Sequence, residues 1–269
     1  MIKIAILITS YNRAETTLNC LDRLYRSNTK SIYFDVYLVD GGSNDSTASQ
    51  VIQKFPKTRV SVIEGLFWNE GMLAAWKNAL NSKIHYDAFL WLNDDVHLFE
   101  DSLQQMYLCM EKTDRQSIVV GYTTSATLDE ITYSALKRKG RSAINFEHTT
   151  SNKERIVSMN GNCVLIPEST VKKIGLLSSK FRHSFGDIDY GLRATKQGIE
   201  IISTEEPVAL LDRNRMIYSQ NKQIAILDLI SIMKDPKGIP LKEWLYFTKK
   251  HAGLLWPANF LFRYLKLFW

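Results

Sequence analysis

Residues 2–9 form an almost wholly aliphatic run that stops abruptly in Thr9-Ser10-Tyr11-Asn12-Arg13. A run without polar alternation calls for a strand buried on both faces, the situation of a sheet sandwiched between helices. The motif then repeats. An amphipathic stretch with Leu18, Leu21, Leu24 and Tyr25 on one face precedes a second apolar run at 34–39, which ends in Asp40-Gly41-Gly42-Ser43-Asn44-Asp45-Ser46-Thr47. Ser46 is placed to cap a helix over 47–55. A third strand is expected at 59–64, followed by Trp68-Asn69-Glu70-Gly71 and a helix to residue 80. A fourth, around residues 86–92, is followed by Asn93-Asp94-Asp95 and a helix over 101–112. The order βαβαβαβ implies right-handed crossovers and a mostly parallel sheet. In such sheets ligands bind beyond the strand C-termini, where every one of these polar clusters falls.

Asp94 and Asp95 are the most telling of them. Adjacent carboxylates at a sheet edge repel each other, and they make physical sense around a divalent cation or a ligand's hydroxyls. A turn rich in Asn and Asp is the competing reading. No Gly-x-x-x-x-Gly-Lys-Ser/Thr loop and no Gly-x-Gly-x-x-Gly follows the first strand, which argues against a P-loop NTPase and a typical dinucleotide dehydrogenase.

The second half is less regular. Residues 121–155 mix Thr, Ser and the basic run Lys137-Arg138-Lys139-Gly140-Arg141, and read as an excursion over the site with the bases in a solvated loop. Pattern returns with Asn160-Gly161-Asn162 and a strand at 163–166, then a short helix with Gly175 as its C-cap. His183-Ser184-Phe185-Gly186-Asp187-Ile188-Asp189 leads into Tyr190-Gly191-Leu192-Arg193, and strands are expected at 199–203 and 208–211, ending in Asp212-Arg213-Asn214. Asp189 and Arg193, at i and i+4, share one helix face, so Asp189 reads as a helix-positioning group. A lone His183 reads as packing.

The last 50 residues form a different segment, so the expected division is 1–219 and 220–269. A helix over 224–233 precedes a break at Asp235-Pro236-Lys237-Gly238. Then Trp244, Tyr246, Phe247, Trp256, Phe260, Phe262, Tyr264, Phe268 and Trp269 interleave with Lys242, Lys249, Lys250, Arg263 and Lys266. Aromatics with snorkelling bases suit an in-plane membrane helix, while a helical pair packed on the core or in a homodimer is the alternative. The charge of +6 favours an anionic partner, although no nucleic-acid reader motif is present. Cys20, Cys109 and Cys163 are odd in number and set in apolar surroundings, as reduced core residues of a cytosolic protein would be. No run of about 18 apolar residues spans a bilayer, and the N-terminus reads as a strand, not a signal sequence.

Taken in order, these motifs resemble the inverting glycosyltransferases of family 2, which have the nucleotide-diphospho-sugar (GT-A) fold. The resemblance runs over residues 3–215. It is carried by Thr9 to Arg13, by Val39-Asp40-x-x-Ser43-x-Asp45-x-Thr47, by Asn69-Glu70-Gly71 with Asn78, by Asn93-Asp94-Asp95, and by Gly186-Asp187 with Asp189 to Arg193. Asn93 stands where the family's Asp-x-Asp motif has its first acid, and Gly186 where its Glu-Asp motif has Glu.

The resemblance implies an α/β GT-A domain with a C-terminal helical tail. It implies that Thr9, Tyr11, Arg13, Asp40, Gly42, Asp45, Asn69, Gly71, Lys77, Asn93 and Asp94 hold the nucleotide. Asp95 and Asp94, with Asp212 as a third ligand, would hold Mg²⁺ or Mn²⁺. Asp187 would be the general base, with Trp68, Asn160, Gly161 and Gly186 on the acceptor side. The donor would be a nucleoside-diphosphate hexose, such as a UDP- or dTDP-sugar. The acceptor would be a glycan on a polyprenyl diphosphate, met at the inner face of a bacterial membrane during surface-polysaccharide synthesis. Two alternatives remain at this point: a sugar-nucleotide pyrophosphorylase, whose glycine-rich first loop is missing here, and a non-catalytic glycan- or membrane-binding module.

Overall fold

The computed structural model describes residues 1–140, 143–151, 153–213 and 226–266, without the side chains of 226–229. The first half is the expected alternation: β1 (Ile2–Ser10), α1 (Ala14–Tyr25), β2 (Ile32–Asp40), α2 (Thr47–Lys54), β3 (Arg59–Val62), α3 (Trp68–Asn81) and β4 (Ala88–Leu92). There follow β5 (His97–Leu98), α4 (Ser102–Glu111), β6 (Ile118–Val120), β7 (Thr123–Thr124), β8 (Ile131–Tyr133), β9 (Ala135–Arg138), β10 (Phe146–His148) and β11 (Ile156–Met159). Next come β12 (Cys163–Pro167), α5 (Glu168–Ile174), α6 (Gly186–Lys196), β13 (Ile201–Ser203) and β14 (Ala209–Leu210). The tail holds α7 (Ile226–Lys234), α8 (Leu241–His251), a 3₁₀ turn at Gly253–Leu255 and α9 (Trp256–Leu265).

Seven strands form the central sheet in the order β13-β6-β12-β4-β1-β2-β3. β12 alone runs antiparallel to its neighbours. The unbroken apolar runs are explained by burial on both faces. Ile4, Ile6 and Ile8 of β1 pack with Leu21, Leu24, Val51 and Met106 from α1, α2 and α4. Ala5 and Leu7 face the other way, in a layer with Ala75, Trp76 and Ala79 of α3 and Tyr190 and Ala194 of α6. Each such aliphatic side chain contributes roughly 1.5–3 kcal/mol by leaving water.

Residues 121–155, read from sequence as an excursion, carry four short strands joined by loops where described. β9 pairs with β10 and β11 in a three-stranded antiparallel sheet, and β7 and β8 join β5 and β14 in a four-stranded one. Their periodicity is hidden because each strand is only two to four residues long. The basic run lies partly in β9, with Lys137 in ion pairs to Glu147 and Glu154 and Lys139 to Glu147; Arg141 lies outside the described residues. Cys20 and Cys163 are buried and all three cysteines are free.

The tail packs on the main domain. Trp244 and Phe247 of α8 and Tyr264 of α9 join Val157, Phe181, Phe185 and Leu192 in one cluster. The guanidinium of Arg263 lies 4.4 Å from the ring centre of Trp244. Asp189 of α6 anchors the contact. Its carboxylate is wholly buried and accepts from Arg193 Nε at 2.9 Å, Lys250 Nζ at 2.6 Å and His251 Nε2 at 2.8 Å. Burial alone would raise Asp189, but these donors and the charges of Lys250 and Arg193 override it and hold the group below its ordinary value. The opposite side of the tail presents Leu254, 99% exposed, with Leu255, Leu261, Phe262 and Leu265. No helix among the described residues is long and apolar enough to cross a membrane. The expected boundary at 219/220, Asn214, the start of the 224–233 helix, Phe268 and Trp269 lie outside the described residues.

Candidate active site

The chain leaves β1 to build β2 and β3 on one side and returns to place β4 on the other. The loops after β1 and β4 therefore diverge and leave a crevice at the switch point. A cavity of about 750 Å³ opens there. Thr9, Ser10, Tyr11 and Arg13 line it from β1, Gly41 and Gly42 from β2, and Asn93, Asp94 and Asp95 from β4. Trp68, Asn160, Gly161 and Asp187 complete the set of sequence-expected residues on its wall.

At the crevice floor Arg13 bridges the acidic pair, one terminal nitrogen to Asp94 and the other to Asp95, each at 2.8 Å. Asp94 is 4% exposed. Burial pushes its carboxyl up to about 6, against the opposing pull of Arg13, and the charge of Asp95 adds to the rise. The Oδ1 of Asp95 is buried without a partner. Beside them, the indole of Trp68 donates to Asn93 Oδ1 at 2.7 Å, and Asn93 Nδ2 donates to Asn162 Oδ1 at 2.6 Å. Asn93, in the place of an acid, is thus the centre of a polar chain joining β4 to the loop before β12. An acid there could not donate to Asn162.

Asp187 stands at the start of α6 and, among the described residues, is held by backbone amides. Its Oδ2 accepts from Gly161 N–H at 2.9 Å and its Oδ1 from Ile188 N–H at 2.8 Å. Burial raises its pKa, and those amides pull against the rise. Gly161 must be glycine: a Cβ would fall 2.4 Å from the Trp68 ring. Phe185, just before the helix, takes a left-handed φ of 73°. It is held there by aromatic contacts with Trp244 and Phe247, a strained residue braced by the tail. His183 lines the cavity with its pKa lowered to about 4 by burial first and by the Lys237 charge, so it is neutral near pH 7.

Other expected positions fall elsewhere. Asp40 is buried and off the cavity lining; its Oδ1 accepts the amides of Gly42 and Ser43, while Oδ2 is buried without a partner. Asp45 is outside the lining and caps two helices, accepting from the amides of Ala14 at 2.9 Å and Thr47 at 3.1 Å. It also displaces Ser46 from the cap expected of it, since Ser46 makes no side-chain cap bond. Asn69 is buried and ties α3 to the carbonyls of Ser178 and Phe181. Gly71 lets α3 approach β1, where a Cβ would meet Thr9 Oγ1 at 2.1 Å. Gly186 does not line the cavity; a Cβ there would lie 1.8 Å from Asn69 Oδ1, which excludes the family's Glu. Lys77 is an exposed α3 residue off the cavity. Asp212 is exposed, accepts from the Ala126 amide at 3.3 Å and stands away from the acidic pair. Among the described residues no three His, Cys, Asp or Glu side chains are grouped to share a metal ion.

The sequence reading missed Glu64, Gly65, Leu66, Phe67, Tyr133, Asn162 and Lys237 on the wall. Asn162 was legible as part of Asn160-Gly161-Asn162. Tyr133 and Lys237 arrive from distant segments and carried no local signal.

The sheet order, the switch-point crevice and its carboxylates define a GT-A fold. The chain matches Glycosyl transferase family 2 over residues 5–165, more than half its length, and belongs to that family. Among curated proteins none matches. Among solved structures it is similar to a mannosyltransferase from Pyrobaculum calidifontis in complex with GDP-Man and Mn²⁺ (TM-score 0.56, 13% identity, 91% of this chain and 64% of that one). It is also similar to residues 1–349 of S. aureus TarS (0.56, 14%, 86% and 65%) and to the same protein with UDP-GlcNAc (0.57, 13%, 86% and 66%). The chain thus spans slightly less than two thirds of these neighbours, and at such identities the likeness concerns the fold.

Proposed function

We propose that this chain is a metal-dependent, inverting glycosyltransferase that moves a hexose from a nucleoside-diphosphate sugar to a glycan acceptor. The observation that carries the reading is Asp187. A carboxylate with a raised pKa, held by two amides and by no cation among the described residues, faces the same cavity as the switch-point loops and the acidic pair. In that role Asp187 takes the proton from the acceptor hydroxyl as it attacks the anomeric carbon, on the face opposite the leaving diphosphate. Thr9, Tyr11, Gly41 and Gly42 bound the nucleotide end, where Asp40 shapes the loop by accepting the amides of Gly42 and Ser43. Trp68, Asn160 and Gly161 form the acceptor side.

A divalent cation fits the acidic pair. Asp95 Oδ1 is buried with no partner, and among the described residues the wall sets Glu64, Asp94, Asp95 and Asp187 against Arg13 and Lys237. A diphosphate entering such a wall needs added positive charge. Asp94 and Asp95 would hold Mg²⁺ or Mn²⁺, which when bound stabilises charge on the leaving diphosphate. The exposed apolar edge of the tail, flanked by Lys249 and Lys266, supports a peripheral place on the inner face of a membrane. There the acceptor would be a polyprenyl-diphosphate-linked glycan of surface-polysaccharide synthesis.

The test is thermal unfolding with UDP, dTDP, GDP and CMP, each with and without Mn²⁺. A ligand at 100 times its Kd adds about 2.7 kcal/mol to the folded state. A Mn²⁺-dependent rise with one diphosphate, lost in Asp95→Ala, is expected; no rise with any of them would remove the donor site. Asp187→Asn should abolish transfer and keep the nucleotide-dependent rise, whereas turnover near wild type would dismiss Asp187 as the base.

A further inference from the structure

The cation proposed for Asp94 and Asp95 has a competitor inside the protein. Arg13 already satisfies one oxygen of each carboxylate at 2.8 Å, and Thr17 Oγ1 approaches the second oxygen of Asp94 at 3.4 Å. Of the four carboxylate oxygens only Asp95 Oδ1 is buried without a partner. A divalent ion on that oxygen would stand beside the guanidinium, and two cations so close repel. Resting on the metal-dependent reading above, we propose that Arg13 is the resting counter-ion of this site. It excludes the free metal and gives way when a nucleoside diphosphate enters, so metal and donor bind together.

The anatomy allows Arg13 to move while the acids stay. Asp94 is buried and fixed by its neighbours. The Arg13 backbone is pinned as the N-cap of α1, its carbonyl accepting from Thr17 N–H at 2.9 Å. Its side chain, by contrast, is 43% exposed and lies on the cavity wall. A diphosphate offers a guanidinium the same forked pair of oxygens that the two carboxylates offer, so Arg13 exchanges partners without a charge left unpaired. Once Arg13 has turned, the acidic pair is free for the metal, and the diphosphate gains both cations. Such coupling is reciprocal: whatever factor the nucleotide adds to metal affinity, the metal adds to nucleotide affinity.

The experiment measures Mn²⁺ binding to the full chain at pH 7.5 by electron paramagnetic resonance, with and without saturating UDP or GDP. Wild type, Arg13→Gln, Arg13→Lys and Asp95→Asn are compared, and circular dichroism checks their folding. Arg13→Gln is expected to bind Mn²⁺ at least about 10-fold more tightly than wild type without nucleotide, with a smaller nucleotide enhancement. Arg13→Lys, a point charge that cannot bridge both carboxylates, should fall between, and it serves as the test if Arg13→Gln does not fold. Arg13 variants that bind free Mn²⁺ no more tightly than wild type would overturn the proposal while leaving the metal site standing. No Mn²⁺ binding sensitive to Asp95→Asn under any condition would overturn the metal-dependent reading and this proposal together.

Discussion

Asp189→Asn tests the joint between the tail and the helix that carries Asp187. The wild-type carboxylate is wholly buried and meets three donors: Arg193, Lys250 and His251. None of the three side chains is more than 30% exposed, so solvent screens the pairs weakly. Asparagine keeps the shape but loses the charge, and its amide cannot accept from donors on both sides. Arg193 keeps its bonds to the carbonyls of Ile174 and Leu176, which limits the damage on that side. Removing one partner of a buried ion pair costs about 3–5 kcal/mol. At roughly 2–4 °C per kcal/mol for a chain of this size, Tm should fall by about 6–20 °C. The assay is thermal unfolding by circular dichroism from pH 7.5 down to 3. Because the folded pKa of Asp189 is lowered, its contribution is present above the unfolded value near 3.9 and is lost as pH falls through the folded value. The wild type and the variant should therefore differ fully at pH 7.5 and converge below about pH 4. A Tm within about 2 °C of wild type at pH 7.5 would refute the anchor.

Asp94 carries the opposite sign. Its folded pKa of about 6 lies above its ordinary 3.8, so its charge costs stability progressively as pH rises from about 4 to 6, on the order of 3 kcal/mol in all. In metal-free buffer Asp94→Asn should gain on wild type across that window, and parallel pH curves in urea unfolding would contradict the shift. Gly186→Ala drives a Cβ toward Asn69 Oδ1, at a cost of about 1–3 kcal/mol. Asn69→Ala should absorb part of that cost in a double-mutant cycle of urea midpoints, whereas strict additivity would show the two sites do not meet. Leu254→Glu with Phe262→Glu removes two exposed apolar side chains worth roughly 1.5–3 kcal/mol each on insertion. Sedimentation with anionic vesicles should fall by at least about 100-fold in partition coefficient, and unchanged binding would discard the membrane face.

Most of the sheet was legible because burial on both faces leaves a mark that does not depend on context. A strand such as β1 must be apolar at every position, and the polar stop at Thr9 to Arg13 must follow where the chain leaves the core. The family motifs and the N-terminal order of strands and helices followed from that local record. The short strands β7 to β10 were not legible, since two to four residues cannot display a period. Local pattern set one carboxylate apart by duty, Asp189, whose i, i+4 spacing to Arg193 marked it as helix-positioning. Asp40, Asp45, Asp94, Asp187 and Asp212 look alike in sequence, each in a turn or at an element's end.

What the sequence alone determined was the alternating α/β order, the family and the side of the sheet on which the polar clusters gather. Tertiary structure decided which acids meet. It put Arg13 across Asp94 and Asp95, turned Asp45 to capping two helices, sank Asp189 beneath the tail, and left Asp187 open to the cavity. It also brought Tyr133 and Lys237 to the wall from outside the motifs. The physical reason is range: periodicity and capping act over a few residues and are written locally. The charge and burial of a carboxylate depend on neighbours far along the chain, such as Gly161, 26 positions from Asp187, and Arg13, 81 positions from Asp94, which only the folded chain brings together.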